Sequence, residues 1–306
     1  MPLNMKLFPI KFPLMKSKTA ILVLLILFFL AKPVHSQNPF QPYFGMGLSA
    51  GVTNYTGDLN DNFSYKFSKL AFGAHFSLVF NKHFSARATY LNGEIAASDA
   101  QNSILANRGR NLNFRSNISE VGANIVYNLF GLQAGFLARA RYTPYVFLGI
   151  AIFHFNPQDS INGNWIDLQP LGTEGQTLGS GKYPEPYSRT QFAIPLGIGF
   201  DYKLLNNLDI GVELGFRKTF TDYLDDVSGT YPDETLLRAN VGNLSADLSD
   251  RTLRHNVKLH SPRGDPGAND SYFYTNIHFT YYFYWTIFGG RFSGSKHSGD
   301  CWAFPK

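Results

Sequence analysis

The chain of 306 residues has little cysteine: only Cys301. Small secreted domains without a large core depend on several disulfides, and one thiol cannot form an internal bridge, so that class is excluded. The sequence also lacks an HExxH segment, a pair of cysteines at zinc-ligand spacing and the EF-hand pattern for calcium. We therefore expect no tight zinc site, no EF-hand and no bound cofactor.

Hydrophobic runs long enough to span a membrane as a helix, about 20 residues, are also missing. One shorter apolar run at residues 20–31 follows a lysine-rich start and precedes Val34, His35 and Ser36. A positive region, a short apolar run and small residues near a cleavage point are typical of a secretory signal peptide. The sequence predicts export and cleavage of residues 1–36.

An excess of positive charge is missing from the rest of the chain. The formal net charge is +5, from 27 Lys and Arg against 22 Asp and Glu. Five lysines and no acidic residue lie within residues 1–36, so the mature chain carries 22 of each sign. A neutral chain does not suggest binding to nucleic acid, and we expect none.

Alternating apolar and small or polar residues dominate what remains. In FGAHFSLVF, residues 72–80, every second residue is apolar, which is the period of a β-strand with one apolar face. The same pattern occurs in QFAIPLGIGFDY and LDIGVELGFRKTF. Eight such segments are predicted, at approximately residues 44–54, 67–80, 83–95, 113–129, 142–154, 190–203, 207–221 and 271–286.

The lengths of these segments favour a membrane barrel over a water-soluble sandwich. Ten to fifteen residues suit a tilted strand that spans a bilayer, whereas globular strands usually have 5 to 6. Short and long connections alternate, as in barrels with periplasmic turns and long outer loops. The fold predicted for residues 37–286 is all-β: an eight-stranded antiparallel transmembrane outer-membrane β-barrel, followed by a periplasmic C-terminal tail at residues 287–306.

Charged residues within the predicted strands are expected to face the barrel interior. A lipid-facing arginine near the middle of the bilayer would cost about 2–4 kcal/mol. An eight-stranded barrel is only wide enough to be filled by side chains. The sequence therefore predicts a plugged interior in which these charges pair: Arg87, Arg115, Glu120, Glu213 and Arg217.

The segment RKTFTDYLDDVS, residues 217–228, holds the densest group of acids. Asp222, Asp225 and Asp226 are weak candidates for ligands of a divalent ion, because they supply oxygen atoms. The competing interpretation is that they lie above the membrane, where they are solvated or pair with Arg217 or with loop cations. A catalytic triad is defined by geometry and not by sequence order, but no catalytic residue is predicted and the chain is expected not to be an enzyme.

The tail, SGSKHSGDCWAFPK, carries an exposed thiol and two aromatic side chains. Cys301, Trp302 and Phe304 are predicted contacts with a partner in the periplasm. Two interpretations of Cys301 stay open: an inert thiol and an intermolecular disulfide. The connection at residues 131–139 is expected on the same side of the membrane and is a second predicted contact.

Six stretches resemble a known family. They are GVTNYTGDL (51–59), RNLNFRSNISEVGANIVYNLF (110–130), PYVFLGIAIFHFNP (144–157), LQPLGTEGQ (168–176), QFAIPLGIGFDYKL (191–204) and RKTFTDYLDDVSGTY (217–231). In this order and spacing they are similar to the PorG-like outer-membrane barrels of the Bacteroidetes type IX secretion system.

The resemblance implies a structural role. A protein of this family would anchor the periplasmic ring, built from a lipoprotein and a soluble ring subunit, at the outer membrane, and so support protein export and, where present, gliding. The membrane lipid would be its other partner. The alternative hypothesis is a small outer-membrane barrel for apolar ligand transport or surface adhesion.

Overall fold

The computed structural model describes residues 40–60, 65–101, 105–131, 137, 139–179, 181–252 and 258–284. The predicted signal peptide and the tail with Cys301, Trp302 and Phe304 lie outside these ranges. Within them, no helix has both the length and the apolar character needed to cross a bilayer.

Nine strands form the sheet. Their bounds are β1 Tyr43–Thr56, β2 Lys69–Val79, β3 Phe84–Ser98, β4 Asn113–Asn128, β5 Tyr142–Ile161, β6 Asn164–Asp167, β7 Thr190–Leu205, β8 Leu208–Thr219 and β9 Ser271–Phe283. Among the described residues, three short α-helices lie between them: α1 Leu105–Arg110, α2 Glu234–Asn240 and α3 Asn243–Ser249.

The sheet closes into a barrel. Each long strand pairs antiparallel with both of its neighbours, and the pairings of β1 with β9 and of β4 with β5 complete the ring. The four-residue β6 pairs only with the far end of β5 and stands outside the ring. Eight ring strands confirm the predicted architecture, although β5 runs seven residues beyond the predicted end, into a hairpin with β6.

Side chains alternate between the interior and the exterior along the ring strands, except near strand ends such as the loop end of β1 and of β3, where consecutive residues are buried. Along β4, Ile118, Glu120 and Asn124 are buried, whereas Val121 and Ile125 are exposed. The same alternation places large apolar residues outside on every ring strand. A period of two is the geometric consequence of the pleat, so each sequence pattern was sufficient to assign its strand's two faces.

Glycines occupy inward positions where a neighbouring strand supplies a large side chain. A Cβ on Gly199 would overlap the ring of Tyr145, and one on Gly47 would overlap the imidazole of His75. Because the interior is narrow, a large residue on one strand requires a small one beside it. The abundance of glycine in these strands follows from this volume limit.

Proline interrupts one ladder, as its missing N–H requires. In the β5–β7 ladder, residues 193 and 196 of β7 have partners on β5, but residues 194 and 195 have none. The register is the same on both sides of this gap. Pro195 stays in register with Arg217 of β8. The ladder is thus interrupted at this proline without a bulge.

The two ends of the barrel differ. At the turn end lie the start of β1, the end of β9 and the β2–β3, β4–β5 and β7–β8 connections. At the loop end, the described parts of the β1–β2, β3–β4, β6–β7 and β8–β9 connections fold over the opening, and α1, α2 and α3 belong to them. The side chain of Asp233 caps α2 by accepting bonds from the backbone N–H groups of Thr235 and Leu236.

Substitution Gly199→Val should lower the free energy of unfolding by about 1–3 kcal/mol, because the new side chain has no room beside Tyr145. Urea unfolding in lipid vesicles measures it. Ala123→Val, an exposed exterior position, is the matched control and should change little. Equal effects of the two substitutions would contradict a filled interior.

Candidate functional site: the filled interior and the loop-end cap

The interior is held by ion pairs that join distant strands. Arg87 Nη1 of β3 lies 2.6 Å from Glu213 Oε2 of β8, and the hydroxyl of Tyr145 donates to the same oxygen at 2.8 Å. The guanidinium of Arg87 also stacks over the ring of Tyr145. All three groups are buried or nearly so, and a buried pair needs such additional bonds to offset the loss of hydration.

A second pair lies nearer the loop end. Arg217 Nε of β8 is 3.4 Å from Glu120 Oε2 of β4, which also accepts a bond from the Tyr272 hydroxyl at 2.5 Å. Both charged side chains are almost completely buried. The predictions that Arg87, Glu120, Glu213 and Arg217 face inward and pair agree with this geometry.

Arg115 is the exception, and its predicted inward position is wrong. It lies on the opposite face of β4 from Glu120, because the two positions are five apart and side chains at odd spacings along a strand face opposite sides. Its guanidinium stacks over the ring of Trp165, 4.1 Å from the centroid, and its Nε donates to Gln158 Oε1. The β5–β6 hairpin therefore accommodates this charge outside the barrel, near the loop end.

Toward the turn end, two interior contacts were missed by the sequence reasoning. Arg139 Nη2 is 2.5 Å from Asp209 Oδ1, and His278 Nε2 is 2.8 Å from Asp201 Oδ1. Asp201 and Asp209 follow the inward period of β7 and β8, and this signal could have identified them. Arg139 lies in a connection, where no period applies.

Little space remains between these groups. Two interior cavities of about 30 Å³ lie along this network, one between Tyr43 and Asp209 and one between Glu120 and His278. A volume of 30 Å³ is close to that of one water molecule. Each of these two cavities has room for about one water molecule and is too small for an organic ligand.

The loop end is closed by a second polar network, here called the cap, built from Tyr55, Asp58, Asp99, Arg110, Glu174, Tyr187, Asp222, Asp225, Asp226, Arg263 and Asp270. Arg110 forms a two-pronged salt bridge with Asp99, at 2.8 Å from each oxygen, and donates to the backbone oxygen of Asp58. Buried Arg263 donates to Glu174 Oε1 at 3.1 Å. These arginines tie four separate loops together.

The three acids of residues 217–228 lie inside the cap and are not solvated. Asp226 accepts bonds from the hydroxyls of Thr173 and Tyr187. Asp225 contacts the Tyr55 hydroxyl at 2.6 Å, and Asp270 contacts the same hydroxyl at 2.7 Å. The prediction of solvated carboxylates, or of pairing with Arg217, was wrong because the surrounding loops bury this strand exit. The third alternative, interaction with a loop cation, agrees with the position of Arg263: burial raises the pKa of Asp226, and the charge of Arg263 lowers it.

The contacts of the Tyr55 hydroxyl constrain the protonation of Asp225 and Asp270. A phenol donates one hydrogen bond, so two carboxylates cannot both accept from it, and one of the pair must carry the proton for the second contact. Burial, followed by the nearby charge of Asp58, raises the pKa of Asp225, and burial together with Asp225 raises the pKa of Asp270. Burial and the repulsion between the two carboxylates both favour the protonated form of the pair.

The weak metal candidates do not converge on one point. Asp222, Asp225 and Asp226 each face different surroundings, and within the described ranges no three His, Cys, Asp or Glu side chains are placed to hold a metal ion. A divalent ion requires several oxygen ligands at once. The geometry gives this acidic stretch a structural role in closing the cap.

The expectation that the chain has no G-x-S-x-G pattern of a nucleophile elbow is wrong, because residues 47–51 are GLSAG. An elbow places its serine on a sharp turn between a strand and a helix. Here the segment lies within β1, and Ser49 Oγ accepts a bond from the Tyr274 hydroxyl at 3.0 Å. The catalytic context of the motif is therefore missing.

Comparison with known proteins gives a family and a set of solved barrels. The family model described as DUF6089, a domain of unknown function, matches residues 19–252. No curated protein matches the chain. Among solved structures, the attachment invasion locus protein Ail of Yersinia pestis, in complex with the heparin analogue sucrose octasulfate, is 9% identical with a TM-score of 0.38; the match covers 80% of this chain and 100% of Ail.

Two further structures are similar at the same level. Neisserial surface protein A is 9% identical with a TM-score of 0.38, covering 78% of this chain and 96% of that one. OprG of Pseudomonas aeruginosa is 11% identical with a TM-score of 0.35, covering 81% and 98%. The barrel assignment itself rests on the closed strand pairing.

Glu213→Gln should lower the free energy of unfolding by about 3–5 kcal/mol, because Arg87 then remains buried without its anion. Urea unfolding in lipid vesicles measures this. Lys218→Gln, on the outer face of the same strand, should stay within about 0.5 kcal/mol of the unmodified chain. The pair Arg87→Met and Glu213→Leu should recover much of the loss; an equal loss in the double variant would argue against an ion-pair origin.

The cap should weaken as the pH rises from about 4 to about 7. Burial raises the pKa of Asp58 and of Asp226 to about 6 and that of Asp222 to about 7. Acids whose folded pKa is raised bind more protons in the folded state, so their stabilising contribution is present at low pH and is lost through this window.

Hydrogen exchange of backbone amides in residues 222–231 measures this opening. Asp222→Asn should increase the protection of these amides, the ratio of intrinsic to observed exchange rate, at pH 7.5. It should also make this protection depend less on pH. Asp247→Asn, at a partly exposed ion pair with Arg238, is the control and should leave the pH dependence unchanged. Protection that increases with pH would contradict the predicted sign.

Proposed function

We propose that this chain, which belongs to the family described as DUF6089, is an outer-membrane barrel that serves as a structural anchor for the type IX secretion system. The observation that carries the structural part is a closed barrel with an apolar exterior and a filled interior. Such a barrel can be held in a bilayer and can hold other proteins there, without conducting a solute.

The apolar exterior supports membrane embedding. Exposed side chains on the ring strands include Leu48 at 71%, Ile150 at 70% and Phe192 at 65%. Apolar surface extending around a whole barrel is too large to be left in water. Closure also satisfies the backbone hydrogen bonds of every ring strand, which a bilayer requires.

Aromatic side chains mark the turn end of this surface. Phe84 contacts Tyr127 with ring centroids 5.0 Å apart, and Tyr142 contacts Tyr202 at 5.5 Å. Rings with one polar edge favour the boundary between lipid and water. We place the turn end, with its short connections, in the periplasm, and the cap outside the cell.

The filled interior argues for an anchor over a transporter of apolar ligands. Charged groups, glycines and interlocking rings occupy the space that such a ligand would need, and the interior cavities each have room for about one water molecule. Surface adhesion through the cap is the remaining alternative, and a partner bound from the outside would distinguish it from anchoring.

The secretion role is supported by the resemblance of six segments to the PorG-like family. In that role, the turn end would contact the periplasmic ring lipoprotein and the soluble ring subunit, through residues 131–139 and the tail with Cys301, Trp302 and Phe304. In the described part of this connection, Leu137 is 59% exposed and its backbone oxygen accepts a bond from Lys203 Nζ. An exposed apolar side chain on that rim suits a protein contact.

Deletion of residues 290–306 should reduce recovery of the ring lipoprotein and the soluble ring subunit with the affinity-tagged barrel by at least tenfold, if the tail provides the contact. Cys301→Ala tests a disulfide separately: a heavier species on non-reducing gels should disappear. Asp233→Asn is the control, because Asp233 caps the start of α2 at the opposite, loop end of the barrel. Unchanged recovery after deletion would exclude the tail, and no recovery with the unmodified barrel would contradict the anchor function.

A further inference from the structure

An open basic pocket lies on the rim of the turn end, where β5 begins and β7 ends. It has a volume of about 480 Å³, and we call it the rim pocket. Its lining combines three cations, one phenol, one amide and two leucines: Arg139, Arg141, Tyr202, Lys203, Leu204, Leu205 and Asn206. Nothing in the anchor function accounts for this mixture of positive charge and apolar surface.

Among the described residues, two of its cations have no carboxylate within salt-bridge distance, although Lys203 lies opposite Asp209 in the β7–β8 ladder. Arg141 donates from Nε and Nη2 to the Tyr202 hydroxyl, at 3.0 and 2.7 Å, and Lys203 donates to a backbone oxygen. Neither forms a salt bridge with a carboxylate among the described residues, whereas Arg139 pairs with Asp209 behind them. The exposed side of the pocket therefore carries about two positive charges.

The bonds to Tyr202 orient the guanidinium. The central carbon of the Arg141 guanidinium also lies over the Tyr202 ring, 5.4 Å from its centroid. The bonds to the hydroxyl and this ring contact together orient the plane of the guanidinium. A positioned guanidinium beside an ammonium group suits an oxyanion with several acceptors, and phosphate forms the strongest charge-assisted bonds of this kind.

The apolar part of the pocket identifies the source of the phosphate. Leu204 and Leu205 are 50% and 58% exposed. Earlier along β7, Ile198 and Phe200 also face outward on the apolar exterior. A free phosphate or an acidic peptide would leave these side chains uncovered. A molecule with an anionic head and hydrocarbon chains covers both parts.

We propose that the rim pocket binds one anionic glycerophospholipid. Its phosphate lies between Arg141 and Lys203, and its acyl chains run along the outward side chains of β7. This inference rests on the proposed embedding in a membrane and is independent of the secretion role.

Thermal unfolding of the full-length barrel in a non-ionic detergent tests the proposal. Added phosphatidylglycerol should raise the melting temperature of the unmodified protein in a saturable way, and phosphatidylcholine should raise it much less. Arg141→Gln and Lys203→Gln should each weaken the apparent affinity about fivefold, since a basic residue near an anionic lipid surface contributes roughly that factor. Lys82→Gln removes an exposed cation from another connection at the same end and should have no effect.

Three outcomes would overturn the proposal. They are an equal loss of affinity in Lys82→Gln, which indicates diffuse charge; a full shift produced by inorganic phosphate alone; and an unchanged affinity in both pocket variants. Arg141→Lys keeps the charge and should retain most of the binding if Arg141→Gln does not fold. Heat-modified migration on gels, which reports barrel folding in lipid, separates failure of the pocket from failure of the membrane proposal.

Discussion

Closure of eight strands into one ring is the constraint on which the other features depend. The ring satisfies the backbone hydrogen bonds between its strands, and it leaves an interior that only side chains can fill. Every inward residue must therefore fit against residues from other strands. This limit on interior volume explains why Gly199 lies beside Tyr145 and Gly47 beside His75. It explains the ion pairs as well.

The same limit explains why the buried charges come in bonded groups. A single buried charge in so narrow a space would have lost its water without compensation. Glu213 has both Arg87 and Tyr145, and Glu120 has both Arg217 and Tyr272. Because each group joins two or more strands, the interior resists separation of the strands.

The cap applies the same chemistry to loops. Arg110 and Arg263 bond to backbone and carboxylate oxygens from several segments, so the loops at this end form one body over the barrel opening. Burial raises the pKa of Asp225 and Asp270, the acids around Tyr55. The turn end presents a different surface, with exposed leucines and cations that suit lipid and protein partners.

The sequence by itself determined the ring strands and the two faces of each, because the strand period is local and needs no knowledge of neighbours. It placed Glu120 and Glu213 inside for that reason, and strict counting along β4 would have placed Arg115 outside. Only the tertiary structure decided which charges meet, since Arg87 and Glu213 are 126 residues apart and their contact depends on the closure and register of the ring. It also decided the state of Asp222, Asp225 and Asp226: loops have no period, and whether a loop carboxylate is solvated or buried depends on which distant segments fold over it.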